Sequence, residues 1–590
     1  MLYLLFKIYY DINENVLIMQ KSIQLSENTE NISGTGITIG VCAACDPRID
    51  EEARKRTKNI VNKVADIIAD KVHTPDGKKI KTVWSPVLID GESQADIVGA
   101  QFKTEGVNMV VCTPDTWAFP QLTLMSLMAH LPKDTPLNIT CGNSAPKPGV
   151  VFAHAVNGAF AQQGRLTHLN VGKWDDTGAM PNISQSTIDS LIDWCFAALT
   201  HVGLKGKRVV CFGHDSMGME TALTHVNATR NTFGLEVTRL DMKLLSDMLQ
   251  KGAYDKEELK ALRNWVDNHF GSIDLSQDKG SEKLNQSLAM YLIMRDLLND
   301  LNAAGGAFMN QLEWGSDMRG IPLPICDLAE SLLNSTFDHN GPKSPLAFGT
   351  EADMQGTLTM LFKTWLSGGN PPLFMDFRKV WEADELQAKA KELGISFNGN
   401  ELWAQKGIVD GDNSGSASLN WAGKPGQKPE EIMKNITLPG AELYYFPGGG
   451  NSVTFVSPGG IEGIASRLTY SELNGMFSLI WDEASTVDLP AQLADFVANS
   501  SNVTWPHTWI VPKYASMTEY KQFAPANHFH MTWNLRPAVL QYWMDLANVI
   551  SVNPWQNRPS FIEGTDRPIP LMYLINGGEN LTKQLRKRSM

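Results

Sequence analysis

A chain of 590 residues is too long for one domain, and at roughly 100–200 residues per domain it predicts three or four domains. The composition, 43% apolar and 19% charged, is typical of a globular protein and excludes global disorder. The net charge of −13 argues against unspecific binding of nucleic acid.

The N-terminal segment is apolar but short. Asp11 and Glu14 interrupt it before it reaches the ~20 residues that span a bilayer, and it lacks the basic leader of an export signal. We interpret residues 1–35 as a flexible or partly non-native extension, of which 1–18 precede a more ordinary start at Met19. Seven scattered cysteines favour a reduced compartment, so we expect a cytoplasmic protein without a membrane span.

Strands and helices alternate through the first half of the chain. A buried strand is predicted at 36–41, an amphipathic helix at 51–72 and a valine-rich strand at 107–112. Such alternation predicts parallel sheets covered by helices. The pattern restarts after a polar loop, which predicts one α/β domain at 36–174 and a second at 175–350.

The remaining segment, 351–590, has a different pattern. Short apolar runs alternate with Gly, Pro, Asn and Ser turns, such as those at 411–416 and 447–451. This pattern is typical of antiparallel strands joined by tight turns. The predicted fold class is therefore α/β, with two Rossmann-like α/β domains followed by a C-terminal antiparallel domain that is either an open sheet or β-barrel-like.

Two carboxylates in the second half of the chain follow apolar segments. Glu351 comes after 346–349, and Asp376 comes after 372–375. A carboxylate at the end of an apolar strand is costly unless it is paired, hydrogen-bonded or bound to a cation. Two of them together can hold a divalent metal ion, or divide the work of general acid and general base. This pair is the first candidate for the chemistry.

Histidines and aromatic residues follow further along the chain. In a strand, the spacing of His528 and His530 points both imidazoles to one face. His528 could therefore join the carboxylates on a metal ion, or it could serve a structural role. Aromatic residues cluster at 444–446 and 505–509. Their rings could pack against the apolar faces of a sugar or belong to the core.

A set of short motifs, taken in order along the chain, resembles the L-fucose isomerase family. Each motif is unspecific alone, but the ordered set extends from the first predicted strand through the C-terminal domain. The motifs are Ser216-Met217-Gly218, Asn334-Ser335-x-Phe337-Asp338, Thr350-Glu351-x-Asp353-x-x-Gly356, Asp376-x-Arg378-x-x-Trp381, Asn413-Ser414-Gly415-Ser416-Ala417, Phe446-x-Gly448-Gly449-Gly450, Thr504-Trp505-Pro506-x-Thr508-Trp509 and Ala526-Asn527-His528.

This resemblance implies a fold, an assembly and a reaction. The assembly is a homohexamer of three-domain chains with active sites between subunits. Glu351, Asp376 and His528 would bind Mn²⁺, and the enzyme would interconvert L-fucose and L-fuculose, with D-arabinose to D-ribulose as a side activity. The cation would stabilise a cis-enediolate while Glu351 and Asp376 move the proton between C2 and C1. Which carboxylate acts on which carbon stays open.

The resemblance also implies a set of substrate-binding residues, namely Arg48, Trp117, Gln311, Ser414, Tyr445, Trp505 and Asn527. The chain departs from the family near this pocket, since Met309 and Asn451 stand where relatives often have glutamine and tyrosine. The reaction type follows from the intact metal ligands, whereas the sugar stays open, with L-arabinose as an alternative. The competing functions are a sugar-binding protein without catalysis and a metal-dependent hydrolase or aldolase.

Overall fold

The computed structural model describes residues 36–215, 217–314, 322–412 and 415–552. The described residues divide into two compact units. The first unit holds 36–70, Lys79–Thr167 and Asp176–Pro181, and the second holds the other described residues. The predicted extension at 1–35 and the candidate Ser414 lie outside the described residues. The domain boundaries drawn from the sequence stay a prediction.

The first unit contains a parallel sheet with helices between its strands. Its elements are β1 Thr38–Cys42, α1 Glu51–Lys71, β2 Lys81–Trp84, α2 Glu92–Thr104, β3 Met109–Cys112, α3 Leu124–Met128, β4 Leu137–Gly142 and α4 Gly149–Gln162. Strand β1 lies between β2 and β3, and β4 lies beside β3. Every residue of β1, β3 and β4 is buried, as is typical of parallel strands covered on both faces. Helix α1 buries an apolar stripe that includes Ile60, Val64 and Ile68.

The second unit begins with another α/β segment. Its elements are β5 His168–Gly172, α5 Gln185–Gly203, β6 Arg208–Phe212, α6 Val226–Phe233, β7 Glu236–Leu240, α7 Met242–Lys251, α8 Lys256–His269, β8 Ser272–Ile273, α9 Gly280–Asp300, β9 Ala303–Phe308, α10 Asp327–Asn334, β10 Phe337–Asp338, β11 Gly341–Pro342 and β12 Ala347–Gly349. Four of these strands form a parallel sheet in the order β12-β9-β6-β7. Strand β9 requires glycine, because a Cβ at Gly305 would lie 2.4 Å from the carbonyl oxygen of Ala347.

The C-terminal part of the second unit is built on antiparallel strands. Its elements are α11 Met354–Leu366, β13 Pro372–Trp381, α12 Ala383–Glu392, α13 Leu402–Lys406, β14 Ile408–Asp412, α14 Pro429–Ile432, β15 Thr437–Leu438, β16 Glu462–Ser471, β17 Met476–Thr486, α15 Ala491–Ala498, β18 His507–Pro512, α16 Met517–Phe523, β19 His528–Trp533, α17 Pro537–Ala547 and β20 Ile550–Val552. Strands β16, β19, β13, β14, β18 and β17 are neighbours in that order, and the β16–β17 pairing closes them into a ring. Strand β20 adds to β17 in parallel.

The predicted fold class is confirmed. Two parallel α/β sheets precede a mostly antiparallel sheet that closes on itself. We refer to the closed set of β16, β19, β13, β14, β18 and β17 as the ring. Within the described residues, no helix is both long enough and apolar enough to cross a membrane.

Helix α11 joins the parallel sheet to the ring. All its residues are buried, and it packs against β9 and β12 on one side and against β13, β16 and β19 on another. The Lys363 Nζ donates hydrogen bonds to the carbonyl oxygens of Ile464 and His530, which anchors the helix to two strands of the ring. The helix begins at Met354, so the acidic residues just before it, Glu351 and Asp353, lie near the ring.

Candidate active site

Four polar residues lie side by side across four neighbouring strands of the ring. His528 on β19 is opposite Asp376 on β13, Asp376 is opposite Asp412 on β14, and Asp412 is opposite His507 on β18. Directly opposed residues of antiparallel strands project to the same face, with Cβ atoms about 4.5–5.5 Å apart. The ring therefore brings two carboxylates and two imidazoles onto one face.

The three predicted metal ligands come together at one end of this row. The His528 Nε2 lies 3.4 Å from Glu351 Oε2 and 3.4 Å from Asp376 Oδ1. The imidazole is buried, and its Nε2 has no hydrogen-bond partner among the described residues. A buried imidazole nitrogen that faces two carboxylates suits a divalent cation, which would take the place of the proton on that nitrogen. The residues present therefore fit the implied metal ion.

The backbone at Glu351 adopts a conformation that few side chains tolerate. Glu351 has a φ of 56° and Ala352 a φ of 55°, both in the left-handed region. Such residues cost about 1–3 kcal/mol each and persist where the surrounding structure enforces them. The amide of Ala352 donates to the carbonyl oxygen of Phe308, which fixes the turn to the end of β9. This turn directs the Glu351 carboxylate at His528.

Asp353 orients His528, a role that the sequence analysis did not assign. The Nδ1–H of His528 donates to Asp353 Oδ2 at 2.7 Å, which leaves Nε2 facing the carboxylates of Glu351 and Asp376. Asp353 also caps α11 by accepting from the Gly356 amide, and it accepts two hydrogen bonds from Arg467. The sequence signal for this role was the Glu-x-Asp spacing at the start of a helix. An N-cap aspartate two residues after Glu351 lies close to the same site.

Charges within the site shift the pKa values of its members. Burial raises the pKa of Asp376 to about 6, and the charge of Glu351 adds to this effect while His528 opposes it. Burial alone would lower the pKa of His528, but its contacts with Asp353 and Glu351 raise it to about 10. Burial would raise the pKa of Asp353, but Arg467 and His528 hold it well below its usual range. An excess of buried negative charge thus favours a cation at this point.

Two of the predicted substrate-binding residues contact the carboxylates directly. The Gln311 Nε2 donates to Glu351 Oε1 at 2.6 Å, and the Asn527 Nδ2 donates to Asp376 Oδ1 at 3.2 Å. Gln311 therefore binds the Glu351 oxygen that does not face His528, whereas Asn527 binds the same Asp376 oxygen that His528 faces. Both amides are hydrogen-bond donors, so they favour the ionised carboxylates.

Two other predicted residues form an aromatic pair in the second unit. The rings of Tyr445 and Trp505 are 5.6 Å apart, and the guanidinium of Arg378 lies 5.5 Å from the Trp505 ring. Tyr445 is partly exposed, whereas Trp505 is buried. Exposed aromatic surface beside polar groups suits the apolar face of a sugar.

The remaining two predicted residues, Arg48 and Trp117, lie in the first unit. Arg48 forms a salt bridge with Asp46, and its guanidinium lies 5.8 Å from the Phe119 ring. Trp117 packs edge-on against the same ring. Arg48 and Trp117 are therefore neighbours around one phenylalanine, within the unit that does not contain Glu351, Asp376 or His528.

A second buried group at the other end of the row could hold a metal ion. Asp410, Asp412 and His507 each offer one ligand atom, and these atoms all lie within 4.8 Å of one another. All three residues are buried. The sequence analysis did not nominate them. The available signal was an Asp-x-Asp spacing in β14, which places both carboxylates on one face of the strand.

We refer to Glu351, Asp376 and His528 as the first site, and we expect Gly356→Ala to disturb the packing around it. A Cβ there would lie 2.6 Å from Asp353 Oδ2, 2.7 Å from His530 Nε2 and 2.8 Å from Arg467 Nη1, so buried side chains would have to move. Overpacking of this kind costs about 1–3 kcal/mol. The thermal midpoint and the affinity for Mn²⁺ should both fall. The control is Gly158→Ala, where a Cβ meets nothing within 4 Å, and equal losses in the two variants would contradict the expectation.

The fold and the site define an α/β enzyme with a buried carboxylate–histidine centre, and comparison with known proteins identifies its family. Residues 36–206 match the family model of the L-fucose isomerase first N-terminal domain, and residues 207–368 match that of the second N-terminal domain. Together these matches cover more than half of the chain. The chain therefore belongs to the L-fucose isomerase family, and it is an aldose–ketose isomerase.

Relatives match along nearly the whole chain. The L-fucose isomerase of Vibrio vulnificus (strain YJ016) is 25% identical over 556 residues, which cover 88% of this chain and 91% of the relative. The L-fucose isomerase of Salmonella typhimurium is 27% identical over 592 residues, covering 90% of this chain and 96% of the relative. The similarity thus includes the C-terminal ring as well as the two N-terminal segments.

Proposed function

We propose that this protein converts L-fucose to L-fuculose, with D-arabinose as a second substrate. The observation that carries the proposal is the convergence of Glu351, Asp376 and His528, with one buried nitrogen 3.4 Å from both carboxylates. The sugar is inferred from relatives that are named L-fucose isomerases.

We propose that Glu351, Asp376 and His528 hold Mn²⁺. When bound, the ion supplies Lewis-acid stabilisation of negative charge that develops on two neighbouring sugar oxygens. The hydrogen bond from His528 Nδ1–H to Asp353 fixes the tautomer, so in the neutral ring Nε2 carries the lone pair that would bind the ion. Carboxylate oxygen and imidazole nitrogen together suit Mn²⁺.

The proton moves from C2 to C1 of the open-chain sugar in this isomerisation. Glu351 and Asp376 are the proposed acid–base pair, because they are the two carboxylates that face His528 Nε2. A general acid–base group works best with a pKa near the operating pH, and burial raises the pKa of Asp376 to about 6. Gln311 and Asn527 donate hydrogen bonds that keep the two carboxylates oriented toward the substrate.

The remaining assignments follow the family resemblance. Tyr445 and Trp505 would present aromatic surface to the sugar, and Arg48, Trp117 and Ser414 would complete its binding. The homohexamer with sites between subunits and the cytoplasmic location stay predictions. Light scattering of the purified protein at several concentrations measures the oligomeric state, and a stable monomer would contradict the shared sites.

A sugar panel tests the proposed function. The protein loaded with Mn²⁺ is incubated with L-fucose, D-arabinose and L-arabinose, and ketose formation is measured. We expect the fastest conversion with L-fucose, complete loss after EDTA treatment and recovery on adding Mn²⁺ back. Fastest conversion of L-arabinose would overturn the sugar assignment. Binding of a sugar without any ketose would instead identify a binding protein.

A further inference from the structure

The second group, Asp410, Asp412 and His507, has features that the first site does not explain. It joins strands β14 and β18, and Asp412 is the direct cross-strand neighbour of both Asp376 and His507. The two groups share no residue. Each combines two carboxylates with one buried imidazole.

The hydrogen bonds of His507 determine which of its nitrogens faces the carboxylates. Nε2 lies 3.2 Å from the carbonyl oxygen of Asn502, and a carbonyl only accepts, so Nε2 carries a hydrogen. Nδ1 lies 3.1 Å from Asp410 Oδ1. In the neutral ring both of these facing atoms are acceptors, so a proton or a metal ion must stand between them. A backbone carbonyl that binds the far nitrogen is the usual support of a metal-ligating histidine.

Asp412 provides a second, independent observation. Its Oδ2 accepts a hydrogen bond from Ser501, but its Oδ1 has none among the described residues, although the side chain is 1% exposed. The nearest cation, Arg378 Nε, lies 3.9 Å away, beyond hydrogen-bond distance. A buried carboxylate oxygen without a partner is costly, and a bound cation would offset this cost.

We propose that Asp410, Asp412 and His507 bind a second divalent transition-metal ion, distinct from the one held by Glu351, Asp376 and His528. Two carboxylate oxygens and one imidazole nitrogen suit Mn²⁺ and Zn²⁺. The ion would link β14 to β18 and would reduce the repulsion between Asp412 and its neighbour Asp376. Its role is therefore to stabilise the strand that stands next to the active site.

Metal counting separates the two sites. The protein is stripped with EDTA, equilibrated with Mn²⁺, freed of unbound ion by gel filtration and assayed for manganese per chain. We expect about two ions in the unchanged protein, about one in Glu351→Gln, about one in Asp412→Asn and none in the double variant. One ion in the unchanged protein, retained in Asp412→Asn and lost in Glu351→Gln, would overturn the second site and leave the first intact.

Thermal stability provides a readout that does not depend on activity. Mn²⁺ should raise the thermal midpoint of Glu351→Gln, because an ion that binds only the folded state stabilises it. The same addition should have no effect on the Glu351→Gln/Asp412→Asn double variant. If Asp412→Asn does not fold, His507→Gln replaces it, since glutamine can still donate to the Asn502 carbonyl. An equal Mn²⁺-dependent shift in the single and double variants would refute the proposal.

Discussion

Glu351→Gln should lower the turnover of L-fucose by about 10³-fold or more. Glutamine has nearly the same size and can still accept the hydrogen bond from Gln311, so the turn at 351–352 is preserved. It cannot ionise, so the site loses a proposed charged ligand and one member of the proposed acid–base pair. Loss of a general base alone costs about 10²–10⁴-fold. The measurement is kcat and KM for L-fucose at saturating Mn²⁺.

The control for this variant is Glu431→Gln, which removes an exposed carboxylate from α14 in the same unit. It should leave kcat unchanged. Measuring Mn²⁺ affinity alongside turnover distinguishes the two roles of Glu351. Full recovery of kcat at high Mn²⁺ would mean that Glu351 is a ligand only and takes no part in proton transfer. Near-normal turnover without added Mn²⁺ would contradict the active-site assignment itself.

Arg467→Met is expected to destabilise the second unit by about 3–5 kcal/mol, because it leaves a buried carboxylate without its charge partner. Arg467 and Asp353 are both almost fully buried, and their atoms approach to 2.5 Å. Asp353 would lose two hydrogen bonds and retain those from His528 and Gly356. Because Asp353 orients His528, Mn²⁺ affinity should also fall, by about 10–100-fold. Urea unfolding and Mn²⁺ titration measure the two effects.

Two further variants test the cause of this loss. Arg230→Met breaks an exposed salt bridge with Glu236 and should leave the stability nearly unchanged, because water and salt screen exposed charges. The double variant Asp353→Asn/Arg467→Met removes both buried charges, so it should regain part of the stability without regaining the metal affinity. If Arg467→Met is no less stable than Arg230→Met, the buried pair does not support the site.

The strand and helix pattern of the N-terminal segments could be predicted because it depends on local periodicity. The run of buried residues in β1 and the apolar stripe of α1 can both be recognised within a short segment of sequence. Turn residues likewise indicated antiparallel strands in the C-terminal part. The sequence did not decide whether these strands close into a ring. Closure depends on the β16–β17 pairing together with pairings between strands that are far apart in the sequence.

The candidate site could likewise be predicted only in part. Glu351, Asp376 and His528 were nominated from carboxylates after apolar segments, histidine spacing and ordered motifs, all of which are visible along the chain. Asp353 was visible as well, but its role depends on His528, 175 residues away. Residue type and spacing identify which groups can ligate or titrate. They do not specify which side chain each group contacts in the folded protein.

The sequence by itself therefore determined the fold class and the family, and it nominated Glu351, Asp376 and His528. The tertiary structure alone decided the buried Arg467–Asp353–His528 chain and the group of Asp410, Asp412 and His507. The physical reason is that hydrogen-bond register between strands makes neighbours of distant residues. That register set His528, Asp376, Asp412 and His507 in one row on one face of the ring.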